Sequence, residues 1–229
     1  MSLLRMENVN LQENGHKIID NVNLSIEKGS MTVFQGPPGC GKSTALKILA
    51  GLILPTSGKV FFENSDIHKM KAVENLKFRK RCGFMFQDSA LWANQDIYHN
   101  LELPLQIHFP QMSAEEKKEK IMQMAKVIKY EKPLNFRPVS LSIGEQKKVS
   151  FARAIICNPD VLFLDEPTES IDSDYLETFM NMLHDFSKQG KTIIIVSHDN
   201  YFISSFFFDK IYFDKGRITN TEIFANMLI

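Results

Sequence analysis

Nothing restricts the fold of this 229-residue chain more than residues 30–50. "SMTVFQ" (Ser30 to Gln35) is a short apolar run with β-branched and aromatic members, and it reads as a buried strand. It runs directly into "GPPGCGKST", and "ALKILAGL" follows with helix-forming residues at apolar spacing. The loop fits G-x-x-x-x-G-K-S/T through Gly36, Gly41, Lys42 and Ser43. Strand, glycine loop, helix is the order in which inward-turned backbone N–H groups and a helix N-terminus can cradle phosphate oxygens. Lys42 is then expected to reach the β- and γ-phosphates of a nucleotide, and Ser43 to hold magnesium. A plain glycine-rich turn capping a helix is the alternative. The lysine, the serine and both flanking elements together argue against it.

Short apolar runs return at "CGFMFQ" (82–87), "VLFLD" (161–165), "TIIIV" (192–196) and "KIYF" (210–213), with helical stretches between them. Such runs describe buried strands, so the expected fold class is α/β with a mainly parallel sheet wrapped by helices. Between about Asp88 and Cys157 the strand-like runs vanish. There "SAEEKKEKIMQMAKVIKY" opens with Ser113 and Glu116 in capping-box spacing, then sets Ile121, Met124, Ala125 and Ile128 on one face. A helical lobe inserted into the α/β core is expected.

"VLFLDEPT" ends a buried strand in Asp165 and Glu166, where burying a carboxylate is costly. Beside a phosphate loop, Asp165 suits the hydration shell of Mg²⁺ and Glu166 suits orienting and polarising the attacking water. "LSIGEQKKV" (141–149) raises a separate question. Ser142 and Gly144 suit a phosphate-binding turn ahead of a helix starting near Glu145, and they equally suit an ordinary serine N-cap. Ile143, bulky and β-branched, does not suit a turn beside phosphate.

Lysine plus arginine and aspartate plus glutamate both total 27, so no net charge draws the molecule toward nucleic acid, and no nucleic-acid partner is expected. Apolar content of 44% with 24% charged residues fits a folded chain rather than a disordered one. The most apolar stretches, "TIIIV" and "YFISSFFF", fall far short of the roughly 20 residues a membrane-spanning helix needs. The start, "MSLLRMENVNLQENG", does not read as a secretory signal, and three unpaired cysteines, Cys40, Cys82 and Cys157, support neither a disulfide framework nor a zinc knuckle. A reducing cytoplasm is expected. The 11 methionines and 18 phenylalanines are assigned chiefly to core packing rather than to a binding surface.

Taken together, "GPPGCGKST", "FMFQD", "LSIGEQKKVSFARAI", "VLFLDEPTESID" and "IIIVSHD" follow one another in the order and approximate spacing of an ATP-binding cassette (ABC) transporter ATPase subunit. The chain resembles that family over roughly residues 3–220. The resemblance implies a P-loop NTPase core with an N-terminal antiparallel β subdomain, all in one domain over 1–229. About 1–87 and 158–229 would form the core, and about 88–157 the helical signature lobe. It implies ATP held with Mg²⁺ by Gly36, Pro37, Pro38, Gly39, Cys40, Gly41, Lys42, Ser43 and Thr44. Ser43, Gln87 and Asp165 would surround the metal, and Glu166, His198 and Gln87 would serve hydrolysis. Asp172 would help form a dimer contact. In the family two such subunits close head to tail, so Ser142, Gly144 and Glu145 of one would reach the γ-phosphate held by the other. The implied partners are a second copy, giving a homodimer, and a separate integral membrane permease. The implied location is peripheral, at the cytoplasmic face of the cell membrane. "FMFQDSALWANQDIYHNLELPL" resembles subunits that handle lipids or lipoproteins, and also the cell-division ATPase of the superfamily, whose permease-like partner controls wall hydrolases. Lipid-related transport is the favoured expectation. A soluble relative acting on ribosomes or DNA usually has two cassettes or long coiled coils, which do not fit here.

The sequence departs from the family pattern at two places. Ile143 replaces the first glycine of the usual signature, and if that position needs positive φ the residue is strained there. The turn is then adapted, weakened, or paired with a different subunit. The register of the usual adenine-stacking aromatic lands on Glu13, with His16 as a substitute or a solvated loop residue. Two further residues leave alternatives open. Cys40 is either an exposed thiol in the phosphate loop or a buried one. Trp92 either anchors a docking helix of the permease or fills the core of the helical lobe.

Overall fold

The structure is a computed structural model that describes residues 2–224, so the expected domain limits at 1 and 229 lie outside it. The chain opens with a long hairpin, β1 (Ser2–Glu13) and β2 (His16–Glu27), turned at Asn14 and Gly15, both in the left-handed region at φ 50 and 80. Asn-Gly favours this two-residue turn because its twist matches that of the flanking strands. Ile19, Val22, Leu24 and Ile26 of β2 alternate inward, so the hairpin has one buried face. After β3 (Met31–Gln35) and α1 (Lys42–Leu49), strands β4 (Ser57–Phe62) and β5 (Ser65–Asp66) complete an antiparallel sheet of order β2-β1-β4-β5. The expected N-terminal antiparallel layer is present.

The second sheet takes β6 (Cys82–Met85), β7 (Val161–Asp165), β8 (Thr192–Val196), β9 (Asp209–Asp214) and β10 (Arg217–Glu222), in the order β10-β9-β3-β8-β7-β6. All its pairings are parallel except β9 with the edge strand β10. Every residue of β7 and β8 is buried, which explains why these strands appear in the sequence as unbroken apolar runs. Their side chains still alternate between two cores. Leu162, Leu164, Ile193 and Ile195 face one core; Val161, Phe163, Ile194 and Val196 join the other with α1 and the antiparallel sheet. Each such side chain contributes about 1.5–3 kcal/mol relative to exposure.

Helix α2 (Ala72–Lys80) precedes β6. Three helices, α3 (Ile97–His108), α4 (Ala114–Val127) and α5 (Ile143–Ile155), lie between β6 and β7 in sequence. Ser113 and Glu116 form the predicted capping box of α4, and Ile121, Ala125 and Ile128 are buried with Met124 packed against them. Helix α6 (Ser173–Lys188) follows β7, and the short α7 (Asn200–Ser204) follows β8. Methionines 6, 31 and 85 and most phenylalanines lie in the cores, whereas Phe207 projects into solvent.

Candidate functional site

The phosphate loop leaves β3 at Gln35 and enters α1 at Lys42, with Gly41 as an N-cap that offers no side-chain hydrogen bond. The first turn, with Lys42, Ser43 and Thr44, therefore presents backbone donors to whatever the loop encloses. Gly36 is required by a close approach: a Cβ there would lie 2.1 Å from the carbonyl oxygen of Phe213. Pro37 shapes the turn by accepting from the N–H of Cys40 at 3.3 Å, and Pro38 and Gly39 bridge the gap between them. Lys42 folds back over the loop, donating to the oxygens of Gly36 (2.8 Å) and Pro37 (2.9 Å), with Cys40 Sγ 3.7 Å away. Cys40 is 5% exposed, so the alternative of an exposed thiol is overturned: its side chain belongs to the core beneath the loop.

Below the loop, Ser43 Oγ donates to Asp165 Oδ1 at 2.7 Å. Asp165 is fully buried at the end of β7, and its second oxygen, Oδ2, has no hydrogen-bond partner; Lys47 Nζ stands 3.9 Å from it. Burial raises the Asp165 carboxyl above its ordinary range, against the opposing pull of Ser43, Lys47, Lys147 and Lys42. An orphaned carboxylate oxygen beside a serine hydroxyl is a hard-oxygen pair, and it fits Mg²⁺, which takes few protein ligands and fills its other positions with water and phosphate. Among the described residues no cluster of three or more His, Cys, Asp and Glu side chains could hold a metal, so an all-protein cage is not on offer.

Glu166 has φ 47, a strained conformation for a non-glycine residue, costing about 1–3 kcal/mol. It is pinned on both sides. Its N–H donates to the oxygen of Val196 at 2.9 Å, and its own carbonyl accepts from Lys147 Nζ at 3.1 Å. The carboxylate lies 2.9 Å from His198 Nδ1, and that hydrogen bond holds the imidazole above its ordinary 6.5. His198, with its side chain 76% exposed, is thus aimed by Glu166 rather than by packing. Gln87, two residues past β6, is exposed and donates through Nε2 to Glu169 at 3.3 Å.

The signature turn forms a separate structure. Ser142 is the N-cap of α5: its Oγ accepts from the N–H of Glu145 at 3.2 Å, while Glu145 Oε2 accepts from the N–H of Ser142 and from Lys132 Nζ, both at 2.8 Å. These contacts, the bond from Lys132 foremost, hold the Glu145 carboxyl below its usual range. The helix begins at Ile143, two residues earlier than expected. Ile143 is not among the described residues with positive φ, so the predicted strain is absent: a helical first residue accepts a β-branched side chain, which here stands 64% exposed. Gly144 is the position that needs glycine, because a Cβ would lie 2.8 Å from the carbonyl oxygen of Ser170. Within the chain this turn bonds to itself and to Lys132 rather than to the phosphate loop.

Asp172 caps α6 by accepting from the N–H of Tyr175 at 2.7 Å and lies 3.4 Å from Lys148; the Tyr175 N–H is the chief cause holding its carboxyl low. Glu13 and His16 pair across the first hairpin, and both are exposed. Trp92 is 48% exposed, which removes the core-filling alternative; its backbone is held by buried Asn100, which accepts from the N–H of Trp92 at 2.8 Å and donates to its oxygen at 3.2 Å. Sequence reasoning missed Asn100, Lys147 and Glu169. The helical period was the available signal for Lys147, which shares a face with Gly144 and Phe151.

A strand, a phosphate-cradling loop and a helix, with serine and aspartate joined beneath the loop, define a P-loop nucleotide-binding α/β protein. The ABC transporter family model matches residues 19–169. The Methanocaldococcus jannaschii ABC transporter ATP-binding protein MJ1508 is 37% identical over 182 residues, 79% of this chain and 80% of that one. The Escherichia coli cell division ATP-binding protein FtsE is 34% identical over 191 residues, 83% of this chain and 85% of its own. The dimeric ATP-binding cassette MJ0796, solved in a post-hydrolysis state with ADP and Pi, matches with a TM-score of 0.89 at 32% identity, over 98% of this chain and 100% of that one. The chain belongs to the ABC transporter ATP-binding family and is an ATPase.

Proposed function

We propose that this chain is the energy-supplying subunit of a lipid- or lipoprotein-moving ABC transporter. It works as a homodimer that encloses two Mg-ATP molecules and docks on a separate membrane permease at the cytoplasmic face. The observation that supports this best is that Ser43 of the phosphate loop bonds to Asp165, while the next residue, Glu166, pairs its carboxylate with His198. Lys42 exchanges the carbonyls of Gly36 and Pro37 for β- and γ-phosphate oxygens. Ser43 and Asp165 would hold Mg²⁺, which when bound would supply positive charge to offset that of the phosphates. Gln87, which donates to Glu169 here, would help hold the metal or the attacking water. Glu166 orients the attacking water, and His198 donates to the γ-phosphate. The hydroxyl of Ser142 already accepts from Glu145, which leaves its proton free for a γ-phosphate oxygen on the partner subunit.

In this reading about 88–157 act as the signature lobe, while the described residues of about 1–87 and 158–229 form the core. Among the described residues no helix is long and apolar enough to cross a membrane, so a permease has to be a separate chain or segment. The lipid assignment rests on the stretch from Phe84 to Leu105. Relatives of similar identity bear other names, including the cell division protein FtsE and the methionine import protein MetN of Carboxydothermus hydrogenoformans.

Two measurements test the reading. Glu166→Gln should cut turnover by roughly two to four orders of magnitude and accumulate an ATP-dependent dimer in light scattering; near-normal hydrolysis sinks the catalytic assignment. Purification from native membranes should bring down two copies of this chain, a polytopic permease and enriched phospholipid, and Trp92→Ala should loosen that complex. A permease-like partner without lipid points instead to the cell-division type, and ribosomal proteins or DNA exclude transport.

A further inference from the structure

Lys147 is only 2% exposed, on the face of α5 that packs against the central sheet. Its ammonium donates to the main-chain oxygen of Glu166 at 3.1 Å. With the bond from the Glu166 N–H to Val196, this clamps both peptide groups around the Cα whose φ is 47. The negative charges of Glu169, Asp165, Glu166 and Asp88 act on the ammonium. Burial lowers its affinity for a proton, and those carboxylates offset that only in part. An exposed lysine would reach solvent with its charged end, whereas this one terminates on the peptide of the residue assigned to hydrolysis.

Two further contacts tie α5 to the same segment. Gly144 abuts the carbonyl of Ser170, and Lys148 pairs with Asp172 at 3.4 Å. The helix capped by Ser142 is therefore attached to residues 166–172 at Gly144, Lys147 and Lys148. A strained backbone persists only where its surroundings over-determine it, and here α5 supplies half of the restraint.

Accepting the reading of Glu166 as the hydrolytic carboxylate, we infer that Lys147 is a positioning residue. By fixing the carbonyl of Glu166 it sets the aim of the carboxylate, and it couples any movement of the signature helix to the hydrolytic group of the same chain. The turn that meets one nucleotide thereby adjusts the residue that acts on the other.

The test is a double-mutant cycle on the full chain, with single turnovers of radiolabelled ATP in the Glu166 and Glu166→Gln backgrounds. Nucleotide-free melting and ATP titration accompany each variant. Lys147→Met removes the donor at nearly constant volume and should lower kcat roughly tenfold or more with KM within about twofold. Lys147→Arg keeps a donor and should recover most of the rate. In the Glu166→Gln background, Lys147→Met should add no further loss, because both changes act through one carboxylate. Equal losses in both backgrounds, an unchanged kcat, an effect confined to KM, or a melting defect that Lys147→Arg does not repair would each overturn the inference. Normal turnover in Glu166→Gln removes the hydrolytic reading and this inference with it; an inactive Glu166→Gln beside an indifferent Lys147→Met removes this inference alone.

Discussion

Adding one methyl group at Gly144 probes the junction between the signature helix and the segment that follows Glu166. The new Cβ would lie 2.8 Å from the carbonyl oxygen of Ser170, closer than carbon and oxygen tolerate, and the obstacle is backbone rather than a flexible side chain. Ser170 has φ 65 and sits between Glu166 and Asp172, so its peptide has little freedom to retreat. Overpacking of this kind costs about 1–3 kcal/mol. Against it stands the better helix propensity of alanine, worth about 1 kcal/mol over glycine in a helix interior. The net is a loss of roughly 0–2 kcal/mol, or a melting temperature up to about 8 °C lower for a domain of this size. Differential scanning fluorimetry of Gly144→Ala without nucleotide isolates this contribution from any effect on phosphate binding across the dimer. Hydrolysis should fall by more than the stability loss explains, since the displaced segment carries Glu166. A protein about 1 kcal/mol more stable than the parent, with full activity, would show that α5 and residues 166–172 do not meet as described.

Three other outcomes are expected. NMR titration should place the His198 imidazole above 6.5, and Glu166→Gln should return it toward that value; because the folded pKa is raised, the stabilisation it reports is complete below 6.5 and fades as pH rises through the folded pKa, and an unmoved midpoint in Glu166→Gln would refute the pairing. Ile143→Gly should cost the nucleotide-free monomer at most about 1 kcal/mol, since the side chain is exposed, while strengthening ATP-dependent dimerisation in a Glu166→Gln background. Weaker or unchanged dimerisation in sedimentation experiments means the isoleucine is accommodated at the interface. Maleimide should label Cys40 in the folded protein at least roughly tenfold more slowly than in urea, with Cys82 and Cys157 equally slow because burial pushes their thiols up to about 12 and about 11; rapid labelling of Cys40 by mass spectrometry contradicts its burial.

What the amino-acid sequence determines here is local. Strands β3, β7 and β8 are legible because burial on both faces leaves them as nearly unbroken apolar runs, and the phosphate loop because its chemistry needs fixed residue types at fixed spacing. Half-buried strands such as β1 and β2 escape that signal, although Asn14-Gly15 marked their turn. Ser142 and Glu145 repeat the spacing of Ser113 and Glu116, so the true start of α5 was also within reach. The tertiary structure alone decided the rest. Ser43 meets Asp165 from 122 positions away in sequence, Gln87 meets Glu169 from 82, and Lys147 ends on the peptide of Glu166, 19 residues away on another element. It also relieved Ile143 of strain and moved the demand for glycine to Gly144, because whether a side chain fits depends on φ and on the nearest carbonyl. Periodicity and spacing act along the chain; contact distance and desolvation exist only once distant segments have packed.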